Sequence, residues 1–140
     1  MRALEGTIGY LLVGVCRAHR NRAAQALGRV GLYVGQEWIL LHLREREGLT
    51  HSELAETCAV EAPTMSKALQ RMEKAGLVAR RVDAADARVS RVHLTERGRA
   101  LCEAVDAIWA ELEERTAADL SLEERVLLRR LLLQVERNLA

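Results

Sequence analysis

Thr64, Ser66, Lys67, Gln70 and Arg71 fall within eight residues, interleaved with the apolar positions Met65, Leu69 and Met72. On a helix, that spacing buries the apolar set and turns the polar set outward. Hydroxyls and the Gln amide can bond base edges or phosphate oxygens. Lys67 and Arg71 can reach phosphate or guanine, and a helix N-terminus favours phosphate in its own right. A second group follows at Asp86, Arg88 and Arg91. An arginine near the tip of a hairpin suits a narrow, electronegative minor groove, and Asp86 can hold that guanidinium or the turn in place. Ser52, shortly ahead of the first group, completes the candidate set for DNA contact.

The charge distribution points the same way. Residues 64–99 hold nine basic and four acidic side chains, whereas the whole chain is formally only +1, with 21 Lys+Arg against 20 Asp+Glu. A basic centre between acidic flanks has the form of a nucleic-acid footprint; a solvated face is the plainer alternative. Other chemistries lack their residues. The sequence has no Gly-rich phosphate loop, no Gly-x-Ser-x-Gly elbow and no paired carboxylates in a plausible cleft, which argues against an enzyme. Cys16, Cys58 and Cys102 are odd in number and widely spaced, so neither a disulfide framework nor a Cys-x-x-Cys zinc site is expected, and the thiols read as reduced. No cofactor is implied. Apolar runs such as residues 38–41 fall far short of the roughly 18 residues of a membrane span. Glu5 interrupts the N-terminal apolar stretch, which therefore reads as an amphipathic helix rather than a signal peptide, and a cytoplasmic protein is expected.

The elements that must carry these side chains are mostly helical. Aromatic content is 3%, with one Pro and no Phe, so aliphatic packing of helices is expected and an all-β fold is excluded. Leu4, Ile8, Leu11, Leu12, Val15, Ala23 and Leu27 recur at three-and-four spacing and predict one long helix over residues 3–28. A helix over about 35–47 carries Trp38, Ile39, Leu40, Leu41 and Leu43, apolar around most of its circumference and so central to the core. Thr50-His51-Ser52-Glu53 is a capping box for a short helix ending near 57, and Pro63 sits in the first turn of the next, which ends at Gly76. With Leu54, Ala55, Cys58, Val60, Met65 and Leu69 as its buried set, this pair reads as a helix-turn-helix in which the small Ala55 lets the helices cross closely. Segments 77–82 and 89–94 carry β-branched residues around a polar tip and predict a two-stranded hairpin, or wing. Thr95 caps a helix over 96–117, and Ser121-Leu122-Glu123-Glu124 opens the last one.

Leu49-Thr50-His51-Ser52-Glu53-Leu54-Ala55, Pro63-Thr64-Met65-Ser66-Lys67, the run from Arg71 to Val78, Asp83 to Arg88 and Leu94-Thr95-Glu96-Arg97-Gly98 together resemble the MarR family of bacterial transcription regulators. The resemblance covers essentially the whole chain and implies a mainly α winged helix-turn-helix, divided into an N-terminal dimerisation helix and connector (1–34), the DNA-binding region (35–95) and C-terminal dimerisation helices (96–140). It also implies a homodimer on a pseudo-palindromic operator, most often as a repressor, with Thr64, Ser66, Lys67, Arg71, Asp86 and Arg88 at the matching contact positions. Leu128, Leu131, Leu132, Leu133 and Val135 support the dimer independently, since they are more than one face of a lone small domain can bury. Two recognition helices about 34 Å apart would match a palindrome. Ala59 departs from the pattern, because helix-turn-helix turns often have Gly there.

The resemblance further implies release from DNA by a small aromatic or lipophilic effector, for which Tyr10, His19, Tyr33, Trp38 and His42 are the candidate pocket residues; each also suits a core position. A peroxide-sensing branch places a cysteine near the start of the first helix. Here Gly9 and Tyr10 stand in that neighbourhood and Cys16 falls about two turns later, so redox sensing is not the expectation. The four histidines are scattered with no i, i+4 pair, so no metal site is expected either. A winged helix serving as a protein-interaction module remains the alternative, opposed by the polar recognition face and basic hairpin where exposed apolar anchors would be needed.

Overall fold

Residues 1–140 are described by a computed structural model that is mainly helical. The N-terminal segment forms two helices rather than one, α1 (Arg2–Glu5) and α2 (Ile8–Gly28). Thr7 makes the break: its extended backbone leaves the helix, its hydroxyl donates to the Leu4 carbonyl at 2.8 Å, and the same oxygen accepts from the Tyr10 N–H at 3.2 Å. One side chain thus closes α1 and caps α2, a local effect that overrides the apolar periodicity running through it.

Helix α3 (Gln36–Glu45) starts after Gly35, whose φ of +103° few other residues adopt. It buries Ile39, Leu40 and Leu43, while Trp38 stays 42% exposed, so α3 is less uniformly buried than its composition suggests. Then follow β1 (Leu49–Thr50), α4 (His51–Thr57), α5 (Ala62–Lys74), β2 (Val78–Val82) and β3 (Ser90–Leu94). The wing is accordingly not a bare two-stranded hairpin. β3 lies in the middle of a three-stranded antiparallel sheet, with Leu49 opposite Val92 and Thr50 opposite Arg91. A two-residue strand has too little length to show alternation, and only its tertiary pairing reveals it.

Two long helices complete the chain, α6 (Glu96–Thr116) and α7 (Leu122–Leu139). Thr95 joins α6 to the sheet region by accepting from the Gly98 N–H at 3.0 Å and donating to the Gly76 carbonyl at 2.6 Å. At Gly98 the helix passes so close to the Leu77 carbonyl that a Cβ would collide with it. The core gathers Leu27, Leu40, Leu43, Leu54, Met65, Leu69, Met72, Val92 and Val105, drawn from α2 through α6. Each such side chain contributes roughly 1.5–3 kcal/mol by leaving water. Helix α7 buries none of its residues; Leu127, Leu128, Leu131, Leu132 and Leu133 all remain exposed. Leu4, Ile8, Leu11 and Val15 are likewise exposed on α1 and α2. No helix is long and apolar enough to cross a membrane.

Candidate nucleic-acid interface

The helix-turn-helix is built from the caps outward. Thr50 and Glu53 form the complete capping box of α4, the Glu53 carboxylate accepting from the Thr50 N–H at 2.8 Å and Thr50 Oγ1 accepting from the Glu53 N–H at 3.2 Å. The turn into α5 closes through the Val60 N–H to the Ala55 carbonyl at 3.0 Å, with Ala59 left-handed at φ +53°. Ala59 therefore takes the conformation glycine would, at a steric cost of about 1–2 kcal/mol. Leu54, Ala55, Met65 and Leu69 are buried as expected, but Cys58 is only half-buried and Val60 is 37% exposed. Both side chains border a cavity, Cys58 while also packing against the edge of the core.

Along α5, Thr64, Lys67, Gln70 and Arg71 are exposed, and Ser52 is exposed in the first turn of α4. Ser66 is half-buried because it faces α4, where its Oγ lies 2.8 Å from His51 Nε2. On the other flank Arg71 stacks over the Tyr33 ring, 5.7 Å from its centroid. Neither pairing has a signal in the sequence. The capping box already explains the segment that contains His51, and Tyr33 lies 38 residues from Arg71.

At the wing tip, Asp83 accepts from the Ala85 and Asp86 N–H groups at 2.7 and 3.1 Å and from Arg91 Nε, while Arg91 Nη1 donates to the Gly48 carbonyl at 2.9 Å. Arg91 is thus turned inward, tying the tip to Gly48, just ahead of β1. Asp86 accepts from both the backbone and the guanidinium of Arg88, at 3.0 and 3.1 Å, so Arg88 is oriented while its side chain stays 91% exposed. The Arg91 and Arg88 guanidinium groups hold the Asp83 and Asp86 carboxyls below the usual range. Both carboxylates are therefore ionised at neutral pH. Arg80 of β2 bonds Glu73 of α5 at 2.9 Å and fixes wing against helix.

Between α5, α3 and the connector ahead of α3 lies a cavity of about 470 Å³. Tyr33, Trp38, Ile39 and Val60 give it an apolar lining, and Arg20, Lys67 and Arg71 give it charge. Of the five effector candidates it takes in Tyr33 and Trp38; His19 and Trp38 both pack against Trp109, and neither Tyr10 nor His42 borders the cavity. Glu37, 1% exposed, accepts from the Gly35 N–H at 2.6 Å; burial pushes its carboxyl above the usual range. Burial also raises the thiols of Cys58 and Cys102, while Cys16 is exposed. No group of three His, Cys, Asp or Glu side chains is placed to hold a metal ion.

A model of the MarR family matches residues 34–89, the stretch from α3 to the wing tip. The HTH-type transcriptional repressor Rv2887 of Mycobacterium tuberculosis is 31% identical over 91% of this chain and 92% of its own length. The chain belongs to the MarR family. Its fold is shared with S. aureus MepR in complex with DNA, at TM-score 0.82 and 29% identity over 97% of this chain and 99% of that one. It is also shared with BpsR of Bordetella bronchiseptica, whose DNA binding is regulated by 6-hydroxynicotinic acid, at TM-score 0.82 and 26% identity over 94% of both chains. This MarR-family chain is a DNA-binding transcription regulator, not an enzyme. In its winged helix-turn-helix, α4 and α5 are the helix pair and the β2–β3 hairpin is the wing.

Proposed function

We propose that the protein is a cytoplasmic repressor that binds a pseudo-palindromic operator as a homodimer and is released by a small aromatic or lipophilic effector. The observation that carries the operator reading is that Lys67, Gln70 and Arg71 of α5 are exposed while Arg88 of the wing is exposed and already oriented by Asp86. An oriented, solvent-exposed guanidinium loses less rotamer freedom on meeting phosphate or a minor groove than a free one. The repressor name of the mycobacterial relative supports the sign of regulation. Dimerisation is supported by the exposed leucines of α7 and by a groove of about 680 Å³ between α7 and the end of α6. Apolar rows of this length rarely stay in water on a stable monomer.

Effector release is supported by the position of the cavity. Lys67 and Arg71 belong both to its wall and to the outward face of α5, so a ligand there competes with DNA for the same cations. The Bordetella relative, regulated by a small aromatic acid, is consistent with that arrangement.

The test is fluorescence anisotropy on a duplex from upstream of the protein's own gene, against a scrambled duplex, over a salt series. Tight binding to the first alone, weakening steeply with salt, is expected. Arg88→Ala should weaken it and lower the salt slope by about one for each phosphate that a subunit no longer neutralises. Equal, weak binding to both duplexes would oppose the reading.

A further inference from the structure

Among the five candidate contact residues of α5, Thr64, Ser66, Lys67, Gln70 and Arg71, Ser66 alone has its hydrogen-bonding group held by another side chain, at His51 Nε2. Lys67 and Gln70 make no side-chain hydrogen bond, and Arg71 has only the Tyr33 ring. His51 is itself firmly placed. It is the first residue of α4, directly after Thr50, whose backbone pairs with Arg91 in β3 and whose side chain completes the capping box. A continuous path of packed and bonded groups therefore runs from the wing strand through Thr50 and His51 to the hydroxyl of Ser66. Both side chains are half-buried, so their bond is weakened less by competing water than one on an open surface.

We propose that His51 is a positioning residue for sequence readout: by fixing the Ser66 hydroxyl, it decides which base edge the recognition helix accepts. The proposal rests on the reading that Ser66 faces a base. A serine hydroxyl has one O–H donor and two acceptor lone pairs and rotates freely when unheld. If Nε2 accepts the Ser66 proton, Ser66 offers DNA only lone pairs, which suit the amino groups of adenine or cytosine. If Nε2 carries a proton and donates, the O–H stays free for guanine O6 and N7 or thymine O4. An unheld hydroxyl can serve as either and discriminates less.

The test selects bound duplexes from a randomised library with the full-length wild type, Ser66→Ala, His51→Ala, His51→Asn, His51→Gln and the Ser66→Ala/His51→Ala double variant. Each variant is first checked by thermal melting. Ser66→Ala, His51→Ala and His51→Asn, the last polar but too short to reach Ser66, are expected to lose about tenfold preference at the same base pair of each half-site. The other base pairs keep theirs, the double variant loses nothing more, and His51→Gln, whose amide reaches the place of Nε2, restores most of the preference. A His51 loss spread evenly over all sequences, or none at the base pair that Ser66→Ala alters, overturns the proposal. A Ser66→Ala profile identical to the wild type overturns it at its base, because Ser66 then reads nothing; a wild type that selects no sequence removes the operator reading itself.

Discussion

The winged helix-turn-helix and the helices flanking it expose opposite kinds of surface. From α4 to β3 most apolar side chains, Val60 and Val82 excepted, are inside, and much of what faces water is polar and already held: Arg88 by Asp86, Ser66 by His51, Arg80 by Glu73. On α7 and the first turns of α2, rows of leucine, isoleucine and valine are exposed as well. The first region completes its core within one chain and leaves a surface ready for an anion. The second leaves apolar area that only another apolar surface can satisfy, and a second copy of the chain is the simplest such partner.

The largest expected effect comes from making the second region resemble the first. If the chain is the homodimer proposed above, Leu128→Asp together with Leu132→Asp should yield a monomer in sedimentation velocity and lower operator affinity by roughly a hundredfold or more, while far-UV circular dichroism keeps its helical signal. An unchanged mass would break the comparison. Gly98→Ala strikes the junction of the two regions, where the added methyl meets the Leu77 carbonyl. A loss of about 3 kcal/mol in urea unfolding is expected, the upper end for overpacking, since backbone yields less than side chain.

Glu37 gives a smaller, pH-dependent effect. Its folded pKa is raised by burial, so its contribution to stability is complete below the ordinary carboxylate range and is lost as pH rises through the raised value. Glu37→Gln keeps an acceptor oxygen for the Gly35 N–H and should remove that part of the slope in melting curves taken from the ordinary carboxylate range upward. A slope equal to that of the wild type would show that Glu37 does not titrate there. Smallest of all, Ala59→Gly should stabilise by about 0.5 kcal/mol, as relief of the left-handed strain outweighs the added freedom of the unfolded chain. A destabilised variant in the same urea assay would contradict that.

Much of the frame is legible in the sequence because it is local. Thr50–Glu53 and Ser121–Glu124 form their capping boxes, Thr95 caps α6, and Met65, Leu69 and Met72 are buried at the spacing that exposes Lys67 and Gln70. What escapes depends on residues far apart in the chain or on one side chain opposing a pattern. β1 exists only through β3, Thr7 interrupts an apolar stripe that continues past it, and Arg91 turns inward because Asp83 and the Gly48 carbonyl converge on it. Cys58 and Val60 have core character, but the connector and α3 leave a cavity beside them. The candidate DNA-facing side chains are visible as residue types; how each is held is not.

The most direct test of the division between the two regions is sedimentation velocity of the chain titrated onto a labelled duplex selected from a randomised library. Two chains per duplex, with no complex containing a single 15.6 kDa chain at any point of the titration, is the expected result. A one-chain complex of the same affinity would show that the winged helix-turn-helix acts alone and that the apolar face of α7 serves something other than operator binding.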